Sequence, residues 1–275
     1  MEDRMSNNAD SFPAQTHACA ALVSALIASL VFPVLAGTGQ PPIGERGQET
    51  SASFEDTLSV HISGTVTDFE GTPIGGAAVE LKKTDFQSAY RCLSDAQGKY
   101  HLLVEPGSYI ALTAIVTEDY ATKKLEYWAW NIPAFRDLEI NPRYDRIEVY
   151  AMNAWQPQGA LPSLQVYFRP MTLQRVVNQG GVAALRTAKL IDIAPDLTHE
   201  DIIATIDGQR VAVLEVNKVL EAAPNDQLIY AYLIQIALPE KQPVRDYWRI
   251  GLTITDPATG EMGEGLLFWE KRLYR

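Results

Sequence analysis

The chain has 275 residues, a formal net charge of −11, 47% apolar residues and 21% charged residues. That composition excludes long disorder and a multi-span membrane protein, and the length suits two ordinary domains. Basic runs reach only the pairs Lys82-Lys83, Lys123-Lys124 and Lys271-Arg272, expected at solvated strand edges. An acidic chain without clustered Lys and Arg excludes a nucleic-acid partner, which would need counterion release at phosphates.

Residues 18–37, ACAALVSALIASLVFPVLAG, carry no charge. The run is longer than a secretory h-region and matches the ~20 residues that span a bilayer core. It predicts export, with residues 1–36 as a signal peptide or a retained membrane anchor. Val34-Leu35-Ala36 offers a cleavage site after Ala36, whereas the acidic Glu2, Asp3 and Asp10 beside Arg4 make a poor n-region; both outcomes stay open. Membrane contact is expected only through residues 18–37. Gly, Pro, Gln, Ser and Glu dominate residues 37–57, read as a flexible linker.

From Leu58 the pattern becomes short alternating runs bounded by turn residues, which predicts an all-β chain. Strands are expected over 59–66, 77–81, 99–104 and 109–116, separated by turns at Asp68 to Gly76, Asp95 to Gly98 and Glu105 to Gly107. Asp95 can accept a hydrogen bond from the turn backbone two residues on. Glycines in these turns suit positive φ, and Tyr100 and Tyr109 are expected in the core wall with hydroxyls at the rim. The segment 125–140 breaks this rhythm and crowds aromatics. Arg143 to Met152 reads as the closing strand.

The ordered residues Gly64-Thr-Val66-Thr-Asp68, Gly71-Thr-Pro73-Ile-Gly75-Gly76-Ala77-Ala-Val79, Asp95-Ala-Gln-Gly98-Lys-Tyr100 and Pro106-Gly107-Ser-Tyr109 resemble the carboxypeptidase regulatory-like domain. The resemblance implies a transthyretin-like sandwich over residues 58–153 and an accessory role. It carries over no catalytic residue, and the metallocarboxypeptidase catalytic domain is absent from the sequence.

Residues 154–275 show strand signals at 164–168, 185–193, 203–206, 209–214, 228–238, 248–255 and 265–269, with a short helix possible near 182–189. Asp207-Gly208 predicts a type I′ hairpin. This half resembles a bacterial immunoglobulin-like or fibronectin-like sandwich. The expected fold is therefore two β-sandwiches, transthyretin-like and then immunoglobulin-like, after an N-terminal apolar export or anchor helix.

The search for chemistry finds no catalytic set. His17, His61, His101 and His199 lack metal-ligand spacing, and no HExxH, GxSxG, Walker or GxGxxG motif occurs. No metal or other cofactor is implied. Asp192, Asp196, Glu200 and Asp201, like Asp256, Glu261 and Glu264, could line a calcium loop, but they lack EF-hand spacing and read rather as solvated turn carboxylates. Cys19 lies in the apolar run, and Cys92 reads as a buried structural thiol, because strand alternation turns Arg91 to the opposite face. Trp128 and Trp130 share one strand face, with Tyr127 on the other. They are either core residues or, with Tyr127, a ligand-binding aromatic platform. The expected function is a non-catalytic interaction or scaffold protein, exported to the cell envelope or secreted, whose partner is a surface protein or glycan. The alternative is a carbohydrate-binding accessory protein using exposed aromatics near Trp128 and Trp130.

Overall fold

The computed structural model describes residues 59–157, 159, 161–241 and 246–270. The export segment, the linker and Lys271-Arg272 lie outside the described residues. Among the described residues no helix is long and apolar enough to cross a membrane.

The chain is all-β, with most residues in strands of several sheets and few in helices. Its first half supplies β1 (Val60–Thr65), β2 (Ala78–Lys82), β3 (Ser88–Leu93), β4 (Lys99–Val104), β5 (Gly107–Ile115), β6 (Tyr127–Ala134) and β7 (Leu138–Glu139). β8 (Ile147–Trp155) and β9 (Ser163–Thr172) follow, then two short helices, α1 (Leu173–Asn178) and α2 (Gly181–Leu185). The chain continues as β10 (Leu190–Ile191), β11 (Ile202–Ile206), β12 (Gln209–Val211), β13 (Val213–Ala223), β14 (Gln227–Ala237), β15 (Tyr247–Thr255) and β16 (Met262–Glu270). The expected boundary between residues 153 and 154 falls inside β8.

One eight-stranded sheet, in the order β12-β11-β15-β16-β6-β5-β2-β3, runs through both halves. The seam is the parallel pairing of β16 with β6, Gly265 opposite Trp128 and Leu267 opposite Trp130. Pleating sends alternate residues to opposite faces, so each half-sheet has two distinct sides. Val79, Leu81, Leu112, Ala114 and Tyr127 are buried on one side with Val60, Ile62, Leu102 and Val104 of the three-stranded sheet β4-β1-β7. On the opposite side the second half packs against β8, in the five-stranded sheet of β10, β14, β9, β8 and β13. Glycines allow that approach: a Cβ on Gly263 would lie 2.2 Å from the Ile147 carbonyl oxygen, and one on Gly265 2.8 Å from Met152 Sδ.

The motif residues of the first half have distinct physical roles. Asp95 Oδ1 accepts from the backbone N–H of Gln97 at 2.9 Å and of Lys99 at 2.8 Å, as the Asx-turn reading expects. Gly98 takes φ +73°, a conformation that disfavours a side chain. Gly64 has another reason: a Cβ there would sit 1.8 Å from the Ile140 carbonyl oxygen. The Tyr100 hydroxyl donates to the same oxygen at 2.7 Å, locking the strand to the 140–144 segment.

Several expectations change. Lys82 is not at a solvated edge; it is buried and paired with Glu80 at 2.6 Å. Residues 185–193 form only the two-residue β10, because α2 ends at Leu185 and a turn follows it. The unexpected α1 begins at Thr172, whose hydroxyl accepts from the Arg175 N–H at 3.2 Å. β13 was missed beyond Leu214. It pairs with β14 alone and lies at a sheet edge, so neither of its faces shows the clean burial that alternation signals.

Candidate functional site: a cleft at the sheet seam

The aromatic platform is a correction. Tyr127, Trp128 and Trp130 are 1%, 3% and 5% exposed, so no ligand reaches the indoles in this structure. The two indoles do share a strand face, stacking with centroids 5.0 Å apart, and Phe86 meets each edge-on at 6.5 and 6.2 Å. They are core because β6 lies inside the large sheet with layers on both sides. The signal was the apolar run Tyr127 to Trp130 at the start of β6, buried on both faces.

Beneath Trp128 lie two buried carboxylates. Glu148 accepts from Trp128 Nε1 at 3.0 Å and from the Tyr120 hydroxyl at 3.4 Å. Burial raises the pKa of both carboxyls, that of Glu126 to about 7, and the proximity of Glu126 raises Glu148 further. Glu126 Oε2 and Trp130 Nε1 have no hydrogen-bond partner among the described residues. This cluster is sealed and offers a ligand no path.

The acidic turn residues are also committed. Glu261 is buried against Arg146 Nε at 2.6 Å, and Asp256 is buried with its carboxylate capping the turn at Ala258 and Thr259. Asp196 pairs with Arg175 at 2.6 Å and with Lys218 at 2.5 Å, which holds its carboxyl below the usual range. Asp201 closes a capping box with Thr198. The expectation of solvated carboxylates fails for Asp256 and Glu261, on which turn N–H groups and Arg146 converge, whereas Asp196 and Glu200 are exposed as expected. Among the described residues no three His, Cys, Asp or Glu converge for a metal. Cys92 is half-buried where a buried thiol was expected, and burial raises its thiol pKa.

A cleft of about 560 Å³ opens where the two halves meet, over the face of β11, β15, β16 and β6 turned away from β8. Ligand sites commonly fall in this size range. Alternation places Arg249 and Thr253 of β15, Glu264 of β16, Thr205 of β11 and Tyr127 of β6 on this side. Gly251 forms part of the floor; a Cβ there would stand 2.7 Å from Thr205 Oγ1. One end is the Asp207-Gly208 turn, whose φ values of +48° and +79° fit the expected type I′ hairpin. The side toward the first half is the 140–144 segment, bearing Arg143.

Arg143 donates through Nε at 3.1 Å and Nη2 at 2.5 Å to Glu264 Oε2, and its guanidinium covers Phe69 at 4.8 Å. Burial pushes the Glu264 pKa up while Arg143 opposes the shift. Two groups are left over. The Tyr127 hydroxyl makes no hydrogen bond with any described residue, although the side chain is almost wholly buried. The Arg249 guanidinium lies over Phe268 at 5.6 Å and makes no ion pair among the described residues. Asp207 instead spends Oδ1 on the Arg249 backbone N–H at 2.9 Å, while its Oδ2 has no partner. Of the three residues named from the sequence, only Tyr127 reaches this cleft. Arg143, Arg249 and Glu264 were missed as a set because they lie far apart in the chain and meet only through the β6–β16 seam.

Among solved structures, the chain resembles the major pilin subunit BcpA of Bacillus cereus at 13% identity, covering 77% of this chain and 69% of that one, with a TM-score of 0.25. A DUF3823 family protein from Parabacteroides merdae is 9% identical, with coverage of 78% and 100% and a TM-score of 0.24. The shaft pilin SpaA of Lactobacillus rhamnosus is 8% identical, with coverage of 79% and 100% and a TM-score of 0.24. Likeness this distant transfers neither ligand nor role. No curated protein matches the chain. Residues 61–119, from β1 through β5 and the turn after it, match the carboxypeptidase regulatory-like domain family.

Proposed function

We propose that this is an exported, non-catalytic interaction protein, secreted or held at the cell envelope, that takes its ligand in the seam cleft. In this reading residues 58–153 are a transthyretin-like sandwich and residues 154–275 an immunoglobulin-like sandwich, with the cleft where they share a sheet. The observation that carries it is the pair of uncommitted polar groups, the Tyr127 hydroxyl and the Arg249 guanidinium, in a cleft of about 560 Å³. Neither group pairs with a described residue and Arg249 is only half-buried, so both keep donors for a ligand that enters the cleft. The lining contains no His, Cys or Ser; of its two carboxylates Arg143 neutralises Glu264 and Asp207 caps the Arg249 backbone N–H, which favours binding over bond chemistry.

Export is supported by the uncharged segment 18–37. Its test is protease treatment of intact cells: digestion of the 58–275 part is expected, and full protection refutes export. N-terminal sequencing separates cleavage after Ala36 from a retained anchor. The cleft reading is tested by filling it with Gly251→Leu and screening the full chain on a glycan array. Wild-type binding lost in the variant supports the reading, and binding retained in a folded variant refutes it.

A further inference from the structure

We infer that the ligand of the seam cleft is an acidic saccharide, held by its carboxylate on Arg249 and by a hydroxyl on Tyr127. The inference rests on the cleft reading above and adds the ligand class. Four observations lead to it. First, the two arginines of the lining differ. Arg143 spends its Nε and Nη2 on Glu264, whereas Arg249 makes no ion pair among the described residues. A planar guanidinium with free donors matches a carboxylate geometrically, and charge-assisted bonds are about twice as strong as neutral ones. Second, Asp207 gives Oδ1 to the backbone N–H of Arg249 and does not pair with its side chain, while its partnerless Oδ2 in the same lining is left to accept from a ligand hydroxyl.

Third, the remaining polar lining is hydroxyl-rich. Tyr127 has an uncommitted hydroxyl; Thr205 and Thr253 make only long contacts, Thr205 donating to the Gly251 carbonyl at 3.5 Å and Thr253 donating to Glu264 at 3.4 Å and accepting from Arg143 Nη2 at 3.4 Å. Such groups can exchange these contacts for the hydroxyls of a polyol with little loss. Fourth, the strands beneath the cleft, β11, β15, β16 and β6, are each paired on both sides. No strand edge is open there for an extended peptide to add to, which removes the commonest mode of peptide capture. A ring bearing both a carboxylate and hydroxyls satisfies the cleft; a peptide carboxylate satisfies only Arg249.

The test is titration calorimetry of the full chain with trigalacturonate, its neutral counterpart galactotriose, and triglutamate. Trigalacturonate is expected to bind at least about tenfold more tightly than either of the others, the scale of one hydrogen bond to a charged group. Arg249→Met should erase the preference for trigalacturonate over galactotriose, and Arg249→Lys should keep part of it. Circular dichroism confirms folding, and the Lys variant keeps the test valid if Met disturbs packing on Phe268. Equal affinity for trigalacturonate and galactotriose, or binding by neither, overturns the inference. Triglutamate binding as tightly as trigalacturonate overturns the saccharide assignment. Trigalacturonate affinity unchanged in both a folded Gly251→Leu variant and Arg249→Met overturns the cleft reading itself. Acidic and neutral probes that bind equally and are both lost in Gly251→Leu overturn only the charge preference.

Discussion

Glu126 gives a sharp test of the packing at the centre of the large sheet. It is buried, its Oε2 has no hydrogen-bond partner among the described residues, and burial raises its pKa from 4.5 to about 7. Below pH 4.5 the carboxyl is protonated in both the folded and the unfolded chain. As pH rises from there, the unfolded chain ionises first, so folding loses stability until about pH 7 and the loss then levels off. A shift from 4.5 to about 7 corresponds to about 3 kcal/mol, an upper bound because burial rarely excludes all relaxation. Glu126→Gln removes the titration while keeping the shape. The variant should therefore gain on the wild type by up to about 3 kcal/mol between pH 4.5 and pH 8, or roughly 6–12 °C in Tm for a domain of this size. Thermal melts followed by circular dichroism at pH 5 and pH 8 measure it. Groups such as Asp68 and Asp196, whose pKa values are lowered, lose their contribution as pH falls through the acid range and are common to both proteins. A difference in Tm between variant and wild type that does not change with pH would refute the reasoning, and one that shrinks as pH rises would reverse its sign.

Gly64→Ala should cost more than about 2 kcal/mol, because its Cβ would meet the Ile140 backbone, which the Tyr100 hydroxyl holds in place; urea unfolding reads this directly. Tyr127→Phe should leave Tm within about 1 °C of wild type, since the hydroxyl has no partner to lose, yet weaken ligand binding about three- to tenfold. Gly208→Val should destabilise by about 1–2 kcal/mol, as a β-branched residue resists φ +79°, with the loss appearing in urea midpoints. Glu264→Gln should raise ligand affinity if it frees Arg143 for a second carboxylate contact, and calorimetry with trigalacturonate measures the change.

The first half was legible because its turns are built from residues with one use each. Asp95, Gly98 and the Pro-Gly pair fix local geometry whatever surrounds them, and the family resemblance follows the same positions. Asp207-Gly208 was legible for the same reason. The seam was not legible. Pairing of β16 with β6 joins residues more than a hundred positions apart, and no local pattern in either strand encodes that partner. This long-range pairing explains why Trp128 and Trp130 gave an ambiguous signal. Alternation correctly put them on one face, but only the neighbouring sheet decides whether that face is wet. It also explains the site. Tyr127 was singled out with its tryptophan neighbours as an aromatic surface, yet its hydroxyl is what reaches the cleft, and Arg143, Arg249 and Glu264 meet it only after the halves join. The acidic turns failed on a related point: spacing can exclude an EF-hand, but it does not reveal that Arg143, Arg146 and Arg175 will be folded onto those carboxylates.

The account stands most directly on whether Arg249 and Tyr127 receive the ligand. Nuclear magnetic resonance of the full chain titrated with trigalacturonate follows the Arg249 Nε–H signal and the Tyr127 ring signals together. Both are expected to shift with one saturation curve, while the signals of the sealed Trp128 and Trp130 indoles stay in place. Saturable shifts confined to residues outside the cleft, with Arg249 and Tyr127 unmoved, would contradict it.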